Sequence, residues 1–105
     1  MATDASTLYK LIILYMLDRV NSPMTNAQIS EFVLEKGYTT YFTLQEVLNT
    51  LISDGFITEE SYHSSTHYTI TDSGRETINF FKYKISSSIV SDINLFLSDN
   101  KYELK

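Results

Sequence analysis

Two helix-start signals with a helix stop between them constrain this chain more than any other feature of its sequence. Thr25 and Gln28 have the spacing of a capping box. In such a box the hydroxyl accepts a hydrogen bond from a backbone amide, and the glutamine accepts one from the amide of the capping residue. Thr43 and Glu46 repeat the spacing, and Gly37 between them is a residue type that readily ends a helix. These signals predict two helices joined by a short turn.

The apolar residues of the two helices support this interpretation, because a helix buries positions three, four and seven residues apart. That spacing is present at Ile29, Phe32 and Val33 in the first helix, and at Leu44, Val47, Leu48 and Leu51 in the second. Thr39 or Thr40 could cap a slightly earlier start of the second helix, and Asp54-Gly55 ends it. The segment over residues 25–54 is therefore predicted to be a helix-turn-helix.

A further helix, apolar nearly all round, is expected over residues 6–20. Its longest apolar run, Leu11–Leu17, is bounded by Lys10 and by Asp18. About 20 apolar residues are needed to cross a bilayer, so no membrane association is expected. The chain contains no cysteine, which excludes disulfides and thiolate metal sites and favours a reducing, cytoplasmic location.

The pattern changes from helical to strand-like at Phe56. Residues 56–60 and 67–71 are rich in aromatic and β-branched side chains, which predicts two strands, with the polar residues 61–66 as their loop. A helix then restarts with Thr71, Asp72 or Ser73 as its N-cap. The run Ser86–Ser88 is either a break between two helices or a weak stretch within one, so C-terminal helices are expected over residues 72–98.

Taken in order, these elements predict a winged helix-turn-helix. The fold class is mainly α with a small β-hairpin (α+β), in which the hairpin over residues 56–71 is the wing and a C-terminal helix is added. A length of 105 residues fits one domain spanning 1–105.

Several segments carry a resemblance to known families. Tyr68–Arg75 is similar to the Tyr-x-Leu-Thr-x-x-Gly segment that closes the wing in bacterial regulators of the PadR and MarR type. Leu11–Tyr15, Pro23–Ile29 and Tyr41–Gln45 resemble a family of small winged-helix proteins of clostridial-type Gram-positive bacteria, known as a domain of unknown function. The resemblance implies a transcriptional regulator. Members of that family are often longer, which leaves room for a further C-terminal segment.

The face that would meet DNA can be assigned on this fold. In DNA-binding winged helices the second helix of the motif, here residues 40–53, enters the major groove, and the wing contacts the backbone or minor groove. Gln45, Asn49 and Thr50 would reach base edges, and the hydroxyls of Tyr41 and Thr43 would hold phosphate. The predicted DNA contacts are Thr40, Tyr41, Thr43, Gln45, Glu46, Asn49 and Thr50 in the helix, and His63, Ser64, Ser65 and His67 in the wing.

The charge of this segment favours a second interpretation. The formal net charge is -5, and residues 37–70 contain no Lys or Arg. Neutralisation of phosphates by Lys and Arg supplies most non-specific affinity for DNA. The alternative to a double-stranded DNA partner is therefore a winged-helix interaction module whose same face binds protein. In a third interpretation the polar residues are only a solvated helix face.

Catalysis and metal binding are not predicted, and no cofactor is expected. His63 and His67 lack a third well-spaced ligand. Glu59 and Glu60 are adjacent in a strand and point to opposite faces. Ser86–Ser88 have no recognisable base as a partner, so the chain is not expected to be an enzyme.

The first and last helices carry more apolar residues than a small core is expected to cover. In PadR-like and MarR-like regulators the terminal helices build the dimer, so the resemblance implies a homodimer. The predicted interface consists of Ile13, Met16, Ile89, Ile93, Phe96 and Leu97. The alternative is a monomer in which the last helix folds back on the first.

Overall fold

The computed structural model describes residues 4–102 and 104. In this part of the chain the elements are α1 Ala5–Arg19, β1 Met24–Thr25, α2 Asn26–Glu35, α3 Tyr41–Ser53, β2 Ile57–Tyr62, β3 Ser65–Ile70, α4 Asp72–Phe81, a 3₁₀ turn Lys82–Lys84 and α5 Ser87–Asp99. The described chain is mainly helical with a small antiparallel sheet, which confirms the predicted α+β class. None of its helices has the length and apolar character needed to cross a membrane.

The α2 helix begins and ends at the predicted signals. The Gln28 amide donates to Thr25 Oγ1 (3.1 Å), and the Thr25 amide donates to Gln28 Oε1 (2.8 Å), which completes the capping box. Gly37 lies in the left-handed region at φ +69°. The amide of the next residue, Tyr38, donates to the Val33 carbonyl (3.1 Å) and closes the helix end.

The α3 helix begins one turn earlier than its predicted capping box. Thr40 is the N-cap, and its Oγ1 accepts a hydrogen bond from the Thr43 amide (3.2 Å). Thr43 is therefore the third helical residue, so the prediction that it caps α3 is wrong and the Thr40 alternative is correct. The extended backbone of Thr40 (φ -90°, ψ 164°) places its hydroxyl against the first turn and fixes this earlier start.

The hairpin is longer and tighter than predicted. β2 and β3 pair from Ile57↔Ile70 to Tyr62↔Ser65, so the prediction of a loop over 61–66 is wrong. The turn consists of His63 and Ser64, whose φ angles are 52° and 61°. Positive φ at both central residues characterises the type I′ turn, which matches the twist of the strands. Neither residue is the Gly or Asn that usually marks this turn in a sequence.

A third strand lies beside the hairpin. β1 pairs antiparallel with β3 through Met24↔Tyr68 and Thr25↔His67, which gives the sheet order β1-β3-β2. Two residues are too few to show an alternating pattern, so the sequence did not predict this strand. Because β1 immediately precedes α2 and pairs with β3, the start of α2 is attached directly to the hairpin.

The core is organised around α1, whose buried residues are Leu11, Ile12, Ile13, Leu14, Met16 and Leu17. α3, α4 and β3 all contact this helix. Burial from several sides explains why α1 is apolar nearly all round.

The C-terminal helices are separated at the serine run. Thr71 caps α4: its Oγ1 accepts from the Gly74 amide (3.0 Å) and donates to the Gly55 carbonyl (2.7 Å). Ser86 caps α5 by accepting from the Ile89 amide (3.3 Å). There are thus two helices, one of the two alternatives left open by the sequence, but the break covers residues 82–86 and Ser87 and Ser88 already belong to α5.

The residues predicted to form a dimer interface lie mostly inside the single chain. Ile13, Met16, Ile93 and Leu97 have no solvent exposure, and Ile89 and Phe96 are half-buried against the same core. The Phe96 ring lies 5.0 Å from the Phe32 ring in α2. Most of the predicted interface is therefore covered within the single chain, whereas Leu95 on α5 is 60% exposed. The homodimer stays a prediction.

Candidate nucleic-acid interface

An open groove with a volume of about 640 Å³ lies between α3, the start of α2 and the hairpin. We call it the α3–hairpin groove. It is lined by Thr25, Asn26, Ala27 and Ser30 of the β1–α2 segment, by Tyr41, Gln45 and Asn49 of α3, and by Glu59, Ser64, Ser65, Thr66 and Tyr68 of the hairpin. Of the predicted DNA contacts, Tyr41, Gln45, Asn49, Ser64 and Ser65 are brought together here.

A hydrogen-bond network lies at one side of this groove. Asn26 Nδ2 donates to Gln45 Oε1 (2.7 Å), and Gln45 Nε2 donates to Asn26 Oδ1 (3.3 Å). Asn26 Nδ2 also donates to the Tyr68 hydroxyl (3.1 Å), and the Ser30 hydroxyl donates to Asn26 Oδ1 (3.0 Å). The side-chain amide of Gln45 is therefore paired with Asn26. Reading a DNA base would require this amide to face outward.

Asn26, Ser30 and Tyr68 were not among the predicted site residues. Asn26 and Ser30 are one helical turn apart, beside the Ile29 and Val33 positions of α2, which is the signal that could have found them. Burial raises the pKa of Tyr68, opposed by the hydrogen bond from Asn26, and the charge of Glu59 raises it further. The Tyr68 hydroxyl therefore keeps its proton at neutral pH.

Several residues of α3 are more exposed to solvent than Gln45. Asn49 is exposed and its side chain forms no hydrogen bond within the described chain. Thr50 Oγ1 donates to the Glu46 carbonyl (3.0 Å). Tyr41 and Phe42 are 51% and 80% exposed at the start of the helix, with their rings in edge contact at 6.2 Å.

Threonines 40 and 43 both belong to the cap of α3. Besides accepting from the Thr43 amide, the Thr40 hydroxyl donates to Thr43 Oγ1 (3.1 Å). Both hydrogen bonds of the Thr40 hydroxyl are thus made within the first turn of α3. The Thr43 hydroxyl proton remains available to an acceptor.

The hairpin places its predicted contacts in two different surroundings. His63 and Ser64 form the exposed turn, whereas His67 lies further along β3 on the face opposite to Tyr68. The Tyr62 ring stacks on the His67 ring at 4.0 Å with an interplanar angle of 5°. His67 Nδ1 is buried and has no hydrogen-bond partner among the described residues. His67 therefore lies within β3 and not in the turn at the tip of the hairpin.

The segment that forms the groove is acidic in sequence. Glu59 lines the groove, and Glu46, Asp54 and Glu60 are exposed elsewhere on the same segment. No Lys or Arg is present between residues 37 and 70 to offset these four carboxylates. Across the described residues, no three His, Asp or Glu side chains converge where they could hold a metal ion.

One comparison with known proteins gives a match. A family model described as Domain of unknown function (DUF4364) matches residues 9–105, and this range includes every residue of the α3–hairpin groove. Comparisons with curated proteins and with solved structures find no match. The expected resemblance to an uncharacterised family is thereby confirmed: the chain belongs to the DUF4364 family of domains of unknown function.

Proposed function

We propose that this chain is a winged-helix domain that binds double-stranded DNA through α3 and the β2–β3 hairpin, as a transcriptional regulator does. The observation that carries the proposal is that α3 and the hairpin border a single polar groove. A recognition helix beside a wing has this arrangement. The order of elements supports it, because α2 and α3 are joined by a short turn and the hairpin follows α3 directly.

The contacts proposed for DNA are fewer than the sequence alone predicted. Asn49 is the proposed base reader, since its exposed amide has no partner within the described chain and can pair bidentately with adenine. The hydroxyls of Tyr41 and Thr43 are proposed to bind phosphate, and the turn at His63 and Ser64 to contact the backbone. Gln45 is left out because its amide is already paired with Asn26.

The absence of Lys and Arg from residues 37–70 determines the expected affinity for DNA and its dependence on salt. Affinity for DNA falls with salt in proportion to the number of phosphates that Lys and Arg neutralise. Residues 37–70 contain neither residue type, so little counterion release is available from this face. The proposed complex should therefore be weak on random DNA and should depend on salt less steeply than most protein–DNA complexes.

The first test measures binding to a random DNA duplex by fluorescence anisotropy at about 50 mM salt, because low salt favours non-specific affinity. Selection of bound genomic fragments then identifies a specific site. Asn49→Ala should weaken binding to a selected site about tenfold, because a bidentate base contact contributes about 1–3 kcal/mol. Asn79→Ala, on the exposed face of α4, is the matched control and should leave affinity unchanged. No binding at low salt contradicts the proposal.

A second candidate function is protein binding through the same face. It is favoured by Phe42, which is 80% exposed beside Tyr41 in a segment, residues 37–70, that contains no Lys or Arg. Exposed aromatic side chains with few charges are typical of the centre of protein interfaces. The second function replaces the first if DNA does not bind and Phe42→Ser abolishes a saturable interaction with a purified partner protein. Phe80→Ser, at another exposed phenylalanine, is the control and should leave that interaction unchanged.

A further inference from the structure

A separate depression lies between α1, the C-terminal end of α3, Phe56, α4 and the 3₁₀ turn, with a volume of about 330 Å³. We call it the α1–α4 pocket. Its apolar lining consists of Leu11, Leu14, Leu51, Phe56 and Phe81. Small-molecule sites are concave, mostly apolar and about 300–1,000 Å³ in volume. The α1–α4 pocket is therefore at the small end of that range.

The pocket has a buried floor and a more exposed rim. Leu11, Leu14 and Leu51 are almost completely buried, so they form the floor. Phe56 and Phe81 are half-buried and present ring surface at the sides. An apolar body placed against these rings would remove them from water, which is the main favourable contribution available here.

Two cationic side chains complete the rim. Lys10 lies one residue before Leu11 on α1, and Lys84 is in the 3₁₀ turn, with its Nζ 5.2 Å from the centroid of the Phe81 ring. A cation over an aromatic face is held in place by the charge distribution of the ring.

Neither lysine forms a salt bridge within residues 4–102 and 104. Asp4, the exposed N-cap of α1, accepts hydrogen bonds from the amide and hydroxyl of Thr7. These bonds lower the pKa of Asp4, and the charge of Lys10 lowers it further. In a chain with a formal net charge of -5, two lysines without a salt bridge at one apolar pocket are a specific feature.

We propose that the α1–α4 pocket binds an amphipathic carboxylate, with its apolar body against Phe56 and Phe81 and its carboxylate between Lys10 and Lys84. The charge of the rim selects an anion over a neutral or cationic ligand of the same shape. The volume selects a short, compact apolar body. The site uses none of the residues of the α3–hairpin groove, so the inference is independent of DNA binding.

The test is isothermal titration of the folded chain with 2-naphthoate and with its neutral counterpart 2-naphthamide, with the binding site located by NMR chemical shifts. We expect 2-naphthoate to bind at least about fivefold more tightly than the amide, a preference within reach of two partly exposed ion pairs. The variant K10Q/K84Q should remove that preference and leave the affinity for the amide unchanged. The matched control K36Q/K101Q removes the same charge away from the pocket and should have no effect.

Thr77→Phe, which adds a ring to the pocket lining, should abolish binding of both ligands. If this variant unfolds in circular dichroism, the lysine pair still decides the question, because both lysines are at the surface. The proposal is overturned if 2-naphthoate does not bind up to a few millimolar. Equal affinity for the two ligands, an unaltered preference in K10Q/K84Q, or shifts confined to another part of the chain would overturn it as well.

Discussion

Asn26 and Gln45 exchange two hydrogen bonds, of 2.7 and 3.3 Å, between the first turn of α2 and the first half of α3. The same Asn26 side chain also bonds Tyr68 in β3 and Ser30 in its own helix. One amide therefore joins both helices of the motif to the hairpin. The relative position of α3 and the hairpin, on which the proposed DNA interface depends, is set in part by this network.

The first prediction concerns the stability contributed by this network. Asn26→Ala should lower the free energy of unfolding by about 1–3 kcal/mol, because it leaves partly buried polar groups of Gln45, Tyr68 and Ser30 without partners. Gln45→Ala removes fewer bonds and should cost less. Asn49→Ala, at an exposed position, should change stability by less than about 0.5 kcal/mol. Urea unfolding monitored by circular dichroism gives all three values, and equal losses in Asn26→Ala and Asn49→Ala would contradict the assigned role.

The second prediction concerns the hairpin turn. Ser64 adopts φ 61°, a left-handed conformation that is unfavourable for a residue with a Cβ. Ser64→Gly should therefore raise the free energy of unfolding by about 0.5–1 kcal/mol. Ser65→Gly, one residue later and paired with Tyr62, should lower it by about the same amount because glycine weakens a strand. A decrease in thermal stability for Ser64→Gly would show that the turn is not strained.

The third prediction concerns a close approach between α4 and the chain before β2. A Cβ added at Gly74 would overlap the carbonyl oxygen of Phe56, which accepts a hydrogen bond from the Thr71 amide (3.0 Å). Gly74→Ala should lower the free energy of unfolding by about 3 kcal/mol, the upper range for overpacking a buried site. Gly37→Asn is the control, since nothing lies near Gly37 and asparagine tolerates its positive φ. Denaturant unfolding that showed equal losses would exclude a steric cause.

The elements that the sequence predicted correctly are those controlled by local signals. The capping box at Thr25, the stop at Gly37 and the apolar spacing of α2 and α3 act over a few residues, and these elements formed as predicted. Where two local signals competed, as at Thr40 and Thr43, the sequence left the choice open, and the Thr40 hydroxyl decided it.

Contacts between distant residues were not predictable in this way. Gln45 and Asn49 look alike in the sequence, but only Gln45 meets a partner, Asn26 in another helix. Strand β1 likewise exists only because β3 lies beside it. The apolar excess of α1 and α5 suggested a partner subunit, because the sequence does not show how much of each helix the other elements cover.

The last prediction concerns Tyr38, which joins the turn between α2 and α3 to α5. Its hydroxyl donates to Asp92 Oδ2 (2.9 Å), and its ring packs edge-on against Phe32 at 5.6 Å. Burial, the hydrogen bond to Asp92 and the negative charge of that carboxylate together raise the pKa of Tyr38 to about 12 from its ordinary value of 10.0. The folded protein therefore holds this proton more firmly than the unfolded chain does.

It follows that the stabilisation from Tyr38 is fully present below pH 10 and is lost as the pH rises from about 10 to about 12. Tyr38→Phe keeps the ring and removes the ionisable group, so the difference in unfolding free energy between the native chain and this variant should shrink over that interval. The loss should stay below about 1 kcal/mol, because the hydroxyl is partly exposed to solvent. Tyr83→Phe, at a residue that is 73% exposed, should show no such change. Urea unfolding at pH 8 and at pH 11.5 measures both, and a difference for Tyr38→Phe that is the same at the two pH values would refute the assigned coupling to Asp92.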